Sequence, residues 1–537
     1  MSVSLLTALL LSPPLDGVTV FVGDKPEPFQ AVVLDTLPHA LGPRAPLILA
    51  RLKGAKIEHT GVIAGMSGSP VYRDGQLIGA VGYRFGSFSK EPIAGITPID
   101  MMRDTLKGLP QATQRAANLE TVQVPLVVAG LDADISQTLL RRLRAVTAAP
   151  LRAVAGGGFS SGATPSHLVN GGAIAVVMAK GDINLFGLGT VTEVRNDTFI
   201  GFGHPMFGWG AVNIPVATAT VSTTIASPEN AFKIGRLGRV VGAMTQDRLP
   251  AIAGRLGPPP AMIPVRVDVG EAKPIEVDVA IHRRLTPSLL ASVTQQALRR
   301  RLGFEAGGTL GLTGTLETDA GNVRIDEWVA HPHHPGTSGA VAQTLYWMSE
   351  LLLDNPLGGV AIRKVELKLH RAATTHVESL RSLEVLNPTP RSGDPLDLRL
   401  RWRRYQQPDR MQSVSLPLDT SLSPGTLQVI VAAGSAVDAV ERHCGDGAPP
   451  RTLNQLIPWL NARASARQRA IYVVRSMATQ SFGTGRMVRA RWDDRLPKVD
   501  LDAEPGNCLI VARHRLDEAA GPVVANEVYS IELQGAP

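Results

Sequence analysis

Along the first hundred residues apolar and polar positions alternate. The runs GVTVFVG, FQAVVLDTL, APLILARL, PVYRDGQLIGAVGY and IAGITPI each read as half-buried strands bounded by turn residues. Asp74-Gly75 between two alternating runs predicts a tight hairpin, because both turn positions favour residues that tolerate positive φ. VQVPLVVAG (122–130) continues the β pattern. The period then changes to that of a helix near 133–145, where Leu139, Leu140 and Leu143 share one face. After the glycine-rich AGGGFSSGATP (155–165), read as a loop, strands return in GAIAVVMA and in LGTVTEVRNDTFIGFGHPMFGWG, with Asn196-Asp197 at a hairpin tip. The three consecutive prolines of RLGPPPAMIP (255–264) stiffen the chain and mark a boundary. Beyond them the pattern predicts a helix over 286–302, strands to about 375, strand-like runs between 385 and 440, and a helix over 452–468 despite Pro458. No internal repeat is evident.

These elements predict a mainly β protein, and 537 residues give room for about three or four domains. The partition expected is a serine-bearing β-barrel over 15–110, a second barrel over 111–258, an α+β region over 259–378 and a β-sandwich-like domain over 379–537. A hydrophobic fraction of 44% with 19% charged residues is that of a globular chain. The net charge of +7 is carried mainly by arginine, in RRLRA (141–145), LRRRLG (298–303) and LRLRWRR (398–404). These clusters are separate, lie among acidic residues and form no aromatic-interleaved stripe, so nucleic-acid binding is not expected and the clusters read as solvated faces.

Cys444 and Cys508, the two cysteines, cannot build a zinc site or a CxxC redox site; a single bridge would fit an oxidising compartment. The opening MSVSLLTALLLSPPLDG is apolar without a preceding positive charge or a small-x-small cleavage site. It reads either as a weak or truncated signal peptide or as the first strand. No other stretch reaches the 18 or so apolar residues needed to span a bilayer.

The candidate chemistry lies in GVIAGMSGSPVYRDGQLIGAVGYR (61–84). Here a serine is held between glycines in a turn that leaves neighbouring N–H groups available to an oxyanion. The bland alternative is that glycine and serine simply suit turns. The α/β-hydrolase elbow is excluded, because position 69 is Ser rather than Gly and a hairpin rather than a helix follows. Ser87 and Lys90 form a Ser-x-x-Lys without its companion motifs and are read as chance. Gly-x-Ser-Gly-x-Pro followed by strand, Asp-Gly turn and strand is instead the local pattern of a trypsin-like second barrel. That analogy makes Ser67 the nucleophile and the amides of Gly65 and Ser67 the oxyanion hole. Gly61 then lies at the base of a substrate pocket, together with Tyr83, and the absence of a carboxylate there predicts preference for a small or apolar side chain.

A nucleophilic serine needs a base. His39 and His59 are near in sequence, but His59 falls in the strand entering the turn and is expected to face solvent. His331, His333 and His334 in AHPHHPG suggest a metal only superficially, since carboxylates are lacking nearby, and they read as a loop. His204 in GFGHPMFG stands at the end of a β-hairpin between glycines.

The two motifs together resemble those of the SpoIVB-type serine peptidases, a trypsin-like family. GVIAGMSGSPVYRDGQLIGAV is similar to its serine element, and GTVTEVRNDTFIGFGHP (189–205) to its histidine element. The resemblance covers about residues 15–255 and implies Ser67 as nucleophile and His204 as general base. It departs from the family in two ways. The serine element precedes the histidine element here, a permuted order that triad geometry tolerates. The family's aspartate has no counterpart in ARLKGAKIEHTG (50–61); Asp247 is the chosen substitute, with Asp182, Asp197 or a backbone carbonyl as alternatives. No segment matches the PDZ module that usually accompanies the sporulation enzyme. The expectation is a serine endopeptidase that acts on protein or peptide substrates outside the cytoplasm, needs no metal or organic cofactor, and carries a C-terminal region for a partner protein. Its rival is a catalytically silent scaffold of the cell envelope that keeps the peptidase fold.

Overall fold

The computed structural model describes residues 13–86, 89–108, 119–147, 151–159, 164–270, 273–302, 308–331, 337–445, 449–476 and 508–535. The N-terminal apolar run, Ser87, His333, His334 and part of the glycine-rich loop lie outside them. The protein is mainly β, as its alternating pattern requires. It divides into two compact units, the first built from residues 1–265 and 275–296, the second from 266–274 and 297–537.

In the first unit, β1 (Leu15–Thr19), β2 (Glu27–Gly42), β3 (Ala45–Lys53), β4 (Pro70–Arg73), β5 (Gln76–Arg84) and β6 (Ile93–Pro98) pair in the order β4-β1-β2-β3-β6-β5. The β4–β5 hairpin closes this ring into a six-stranded barrel. Asp74 and Gly75 form the hairpin tip with φ of 49° and 77°, the left-handed pair that a two-residue turn demands. Leu15, Phe29, Ala31, Ala50, Leu52 and Val81 fill the barrel. Between β3 and β4 the chain makes a short helix, α1 (Ala55–Thr60), and then the serine turn. The sequence pattern places His59 in a strand, but Gly54 and Gly61, at φ 133° and 71°, break the extended chain on both sides of this short helix, and His59 is an exposed helical residue.

A second helix, α2 (Ile99–Asp104), leads on to β7 (Glu120–Thr121) and β8 (Val124–Ala129). Helix α3 (Ala133–Val146) buries Ile135, Leu139, Leu140 and Leu143, the predicted face. After β9 (Leu151–Ala155) and β10 (Gly157–Phe159) come β11 (Ala173–Gly181), β12 (Asn184–Arg195), β13 (Thr198–Gly201), β14 (Gly210–Ile225), β15 (Phe232–Arg248) and β16 (Ala251–Leu256). Their pairings run β11-β14-β15-β16-β13-β12 and return to β11, so this hydrogen-bonded circuit also closes on itself. Val177, Phe186, Leu188, Ala217 and Leu237 belong to its core. The proline segment separates β16 from β17 (Met262–Asp268), which β18 (Ile275–Ala280) and α4 (Thr286–Leu302) follow.

The second unit contains β19 (Gly308–Thr318), β20 (Gly321–His331), α5 (Thr337–Leu353) and β21 (Ile362–Ala372). Two four-stranded sheets come next. One has the order β24-β23-β22-β28, from β22 (Glu378–Val385), β23 (Pro395–Arg404), β24 (Asp409–Pro417) and β28 (Val523–Val524). The other has the order β27-β26-β25-β29, from β25 (Gly425–Ala433), β26 (Arg469–Ser476), β27 (Cys508–Arg515) and β29 (Asn526–Leu533). Leu398, Leu400 and Trp402 of the first sheet share one core with Val429, Ile471 and Ile531 of the second, which makes the pair a sandwich. Helices α6 (Ser435–Cys444) and α7 (Leu453–Asn461) lie between β25 and β26 in sequence, and Cys444 is bonded to Cys508. The helix expected over 452–468 thus stops at Asn461. No described helix is long and apolar enough to cross a membrane.

Candidate active site

Two successive turns carry the serine, closed by Met66 N–H to Ile63 O and Ser69 N–H to Met66 O, both at 3.0 Å. Gly65 and Gly68, at φ 94° and 92°, occupy backbone positions where a side chain would be strained. The carbonyls of the turn are all engaged. Thr190 Oγ1 donates to Gly65 O at 3.0 Å, Ser69 Oγ to Met66 O at 2.6 Å, Thr190 N–H to Ser67 O at 2.9 Å and Thr192 Oγ1 to Gly68 O at 2.7 Å. Among the amides, those of Met66, Gly68 and Ser69 donate within the fold. Those of Gly65 and Ser67 have no hydrogen-bond partner among the described residues, and neither has the buried Ser67 Oγ. A turn that satisfies every carbonyl yet leaves these three donors unspent is unusual, since buried polar groups are nearly always paired.

The turn packs directly on the element that bears His204. A Cβ on Gly68 would fall 2.1 Å from Thr190 O and 2.3 Å from Phe202 N, so only glycine permits the approach. One strand away, Thr97 Oγ1 donates to Gly203 O at 2.6 Å. The chain reaches His204 through a γ-turn, closed by Gly203 N–H to Gly201 O at 2.9 Å, with Phe202 at φ 68°. Positive φ in a phenylalanine is a strained state of the kind that concentrates at functional sites. The His204 ring lies tilted to Phe202 and edge-on to Tyr83, with centroids 6.0 and 6.4 Å apart. His204 Nδ1 and Pro205 O are 2.7 Å apart. A carbonyl only accepts, so Nδ1 carries a proton, and Nε2 is the ring nitrogen left to take one up.

Asp247 is buried on β15 and grips the loop after the histidine. Its Oδ1 accepts from Met206 N–H at 2.8 Å, and its Oδ2 from Phe207 N–H at 2.8 Å and Gly208 N–H at 2.9 Å. Burial pushes its pKa up against the opposite pull of these amides. The bond from His204 Nδ1 goes to a backbone carbonyl, and Asp247 is a positioning residue for the loop. The alternative aspartates lie at the surface: Asp182 accepts from Glu276 N–H at 3.0 Å, and Asp197 pairs with Arg255 at 3.3 Å. His39 is likewise exposed, its Nδ1 accepting from Arg44 N–H at 2.9 Å.

Of the expected pocket residues, Gly61 faces open space on its Cβ side, and Tyr83 is fully buried with its hydroxyl 3.4 Å from Leu249 O. Three contributors escaped the sequence reading. Thr190 and Thr192, on one face of GTVT, bind the serine turn. Lys233, a fully buried cation near the start of β15, lies beneath it: a Cβ on Gly65 would meet Lys233 Cδ at 3.3 Å, and Lys233 Nζ donates to Thr19 Oγ1 at 2.9 Å. Burial lowers the Lys233 pKa to about 7. Among the described residues no cluster of His, Cys, Asp or Glu could hold a metal ion. No protein-family model, curated protein or solved structure matches this chain.

Proposed function

We propose that the protein is a serine endopeptidase in which Ser67 and His204 act as a dyad, with a fold and motifs similar to those of the SpoIVB-type, trypsin-like peptidases in permuted order. The observation that carries this reading is the pair of unspent amides at Gly65 and Ser67 beside an unspent Ser67 hydroxyl, in a turn packed on the histidine loop. In the proposed reaction Ser67 Oγ attacks the scissile carbonyl carbon as its proton passes to His204 Nε2, and the two amides hold the resulting oxyanion. His204 then gives that proton to the leaving amine, so the peptide bond breaks and an acyl group stays on Ser67. Water, losing a proton to His204, releases the acid and restores the serine. Gly61 favours a small or apolar substrate side chain. The Cys444–Cys508 bridge supports a site of action outside the cytoplasm, where disulfides persist.

A silent scaffold is the second reading, favoured by one observation: Ser67 and His204 are fully buried, and Ser67 Oγ makes no hydrogen bond to the imidazole. Intact-mass analysis after exposure to a fluorophosphonate separates the two. The peptidase reading expects one adduct on the native chain, none on Ser67→Ala, and labelling slowed by about three orders of magnitude in His204→Ala. A folded native chain that takes up no adduct favours the scaffold.

A further inference from the structure

The arginine-rich LRLRWRR lies in β23, where side chains alternate strictly. Leu398, Leu400 and Trp402 point into the sandwich core, and Arg399, Arg401 and Arg403 stand exposed on the outer face. Their cross-strand neighbours are Glu384, Ser382 and Ser379 on β22, and Ser413, Met411 and Asp409 on β24. The outer two guanidiniums are partly neutralised: Arg399 pairs with Glu384 at 3.2 Å and Arg403 with Asp409 at 2.5 Å. Arg401 in the middle sits between a serine and a methionine that is 50% exposed, and has no ion-pair partner among the described residues. Arg381, exposed where the β22–β23 register shifts, has none either. Both are close enough to Asp409 to add to the effect of Arg403, whose hydrogen bond is the main reason that carboxyl lies below its ordinary range. At the hairpin end, Arg404 and Arg410 each approach Glu378 to 3.9 Å, although Arg469 already binds that carboxylate at 3.0 Å.

Two adjacent arginines without a salt-bridge partner of their own, on an exposed sheet face, form a ready anion-binding surface. The planar fork of each guanidinium suits a carboxylate. Residues two apart on β23 are spaced by about 6.8 Å, which is also the spacing of alternate side chains in an extended peptide. We propose that the outer face of β22–β24 docks an extended acidic segment of a partner protein in which Asp or Glu recurs at every second residue. Arg401 is its central contact, with Arg399 and Arg403 on either side along β23 to match that spacing and Arg381 flanking from β22; the neighbouring serines supply hydrogen bonds, and Met411 supplies an apolar contact. This proposal is independent of the peptidase chemistry.

The test uses the full chain and two fluorescein-labelled nonapeptides of equal composition, one alternating Glu with Thr and the other carrying its glutamates in one block, titrated by fluorescence anisotropy in low salt. The alternating peptide is expected to bind the more tightly. Arg381→Gln/Arg401→Gln should weaken it about tenfold, and Arg401→Lys, which keeps charge but loses the fork, by less. Arg73→Gln/Arg195→Gln, with the same charge change at exposed positions of the first unit, should leave it within about twofold. Equal affinity for the two peptides, or equal loss in both double variants, would overturn the proposal. So would tighter binding to phosphatidylglycerol vesicles or to single-stranded RNA that disappears in Arg381→Gln/Arg401→Gln. The single Arg401→Lys variant decides the matter if the double variant does not fold.

Discussion

The carboxylate of Asp247 illustrates how one residue can serve a site from behind it. Its two oxygens satisfy three consecutive amides, and those amides belong to the residues that immediately follow His204-Pro205. Asp247→Asn replaces an acceptor oxygen by a donor facing buried N–H groups. A loss of about 2–4 kcal/mol in chemical denaturation is expected, and Asp247→Ala, which removes the clash but not the vacancy, should cost a similar amount. Lys233 makes a pH-dependent contribution whose sign is fixed by its burial. With a pKa of about 7 in the fold and its ordinary value of 10.5 in the unfolded chain, the unfolded state binds the extra proton between those limits. Stability of the first unit should therefore rise with pH through this window, by up to about 1.4 kcal/mol per unit. Lys233→Met should flatten that slope and raise stability near neutrality, which denaturation midpoints at pH 7.5, 8.5 and 9.5 would show.

At the scale of elements, contact between the serine turn and the histidine loop depends on glycine where no side chain fits. Gly68→Ala places a methyl 2.1 Å from Thr190 O and should cost at least about 3 kcal/mol. Gly61→Ala meets nothing within 4 Å and should cost only backbone strain, about 1–3 kcal/mol, because φ 71° with ψ −158° is open essentially to glycine alone. Thermal melts of the two variants provide the comparison. Elements with strong local chemistry were legible in the sequence: the Asp74-Gly75 and Asn196-Asp197 hairpins, the amphipathic α3 and the glycine-flanked Ser67 turn. Helix α1 was not, because six residues hold too little period to oppose the strands around them. Helix α5 was missed for the opposite reason, since GAVAQTLYWMSELLL is apolar on most sides and shows little contrast between faces. His204 could be singled out by its glycines. The partner of its Nδ1 stays open in the sequence among three aspartates and a backbone carbonyl, because a carbonyl acceptor is common to all residues and leaves no trace in their identity.

At the scale of the whole molecule, two compact units divide the chain, and the disulfide belongs to the second. Cys444 and Cys508 are separated by 64 positions, and a loop of that size should contribute about 4 kcal/mol by limiting the unfolded chain. Treatment with a reductant is expected to lower the melting transition of the second unit and leave that of the first in place, as calorimetry can resolve. The order of the elements has a further consequence for a chain still being synthesised. All six strands of the serine barrel are complete by Pro98, whereas Thr190, Thr192 and His204 emerge from the ribosome much later. For that interval the turn carbonyls face water, and the serine turn has neither its threonine clamps nor the histidine loop that packs on it. On the proposed chemistry, a nascent or prematurely terminated chain would carry the nucleophile without the means to use it, so the order of synthesis itself delays the hazard of a protease at its site of manufacture.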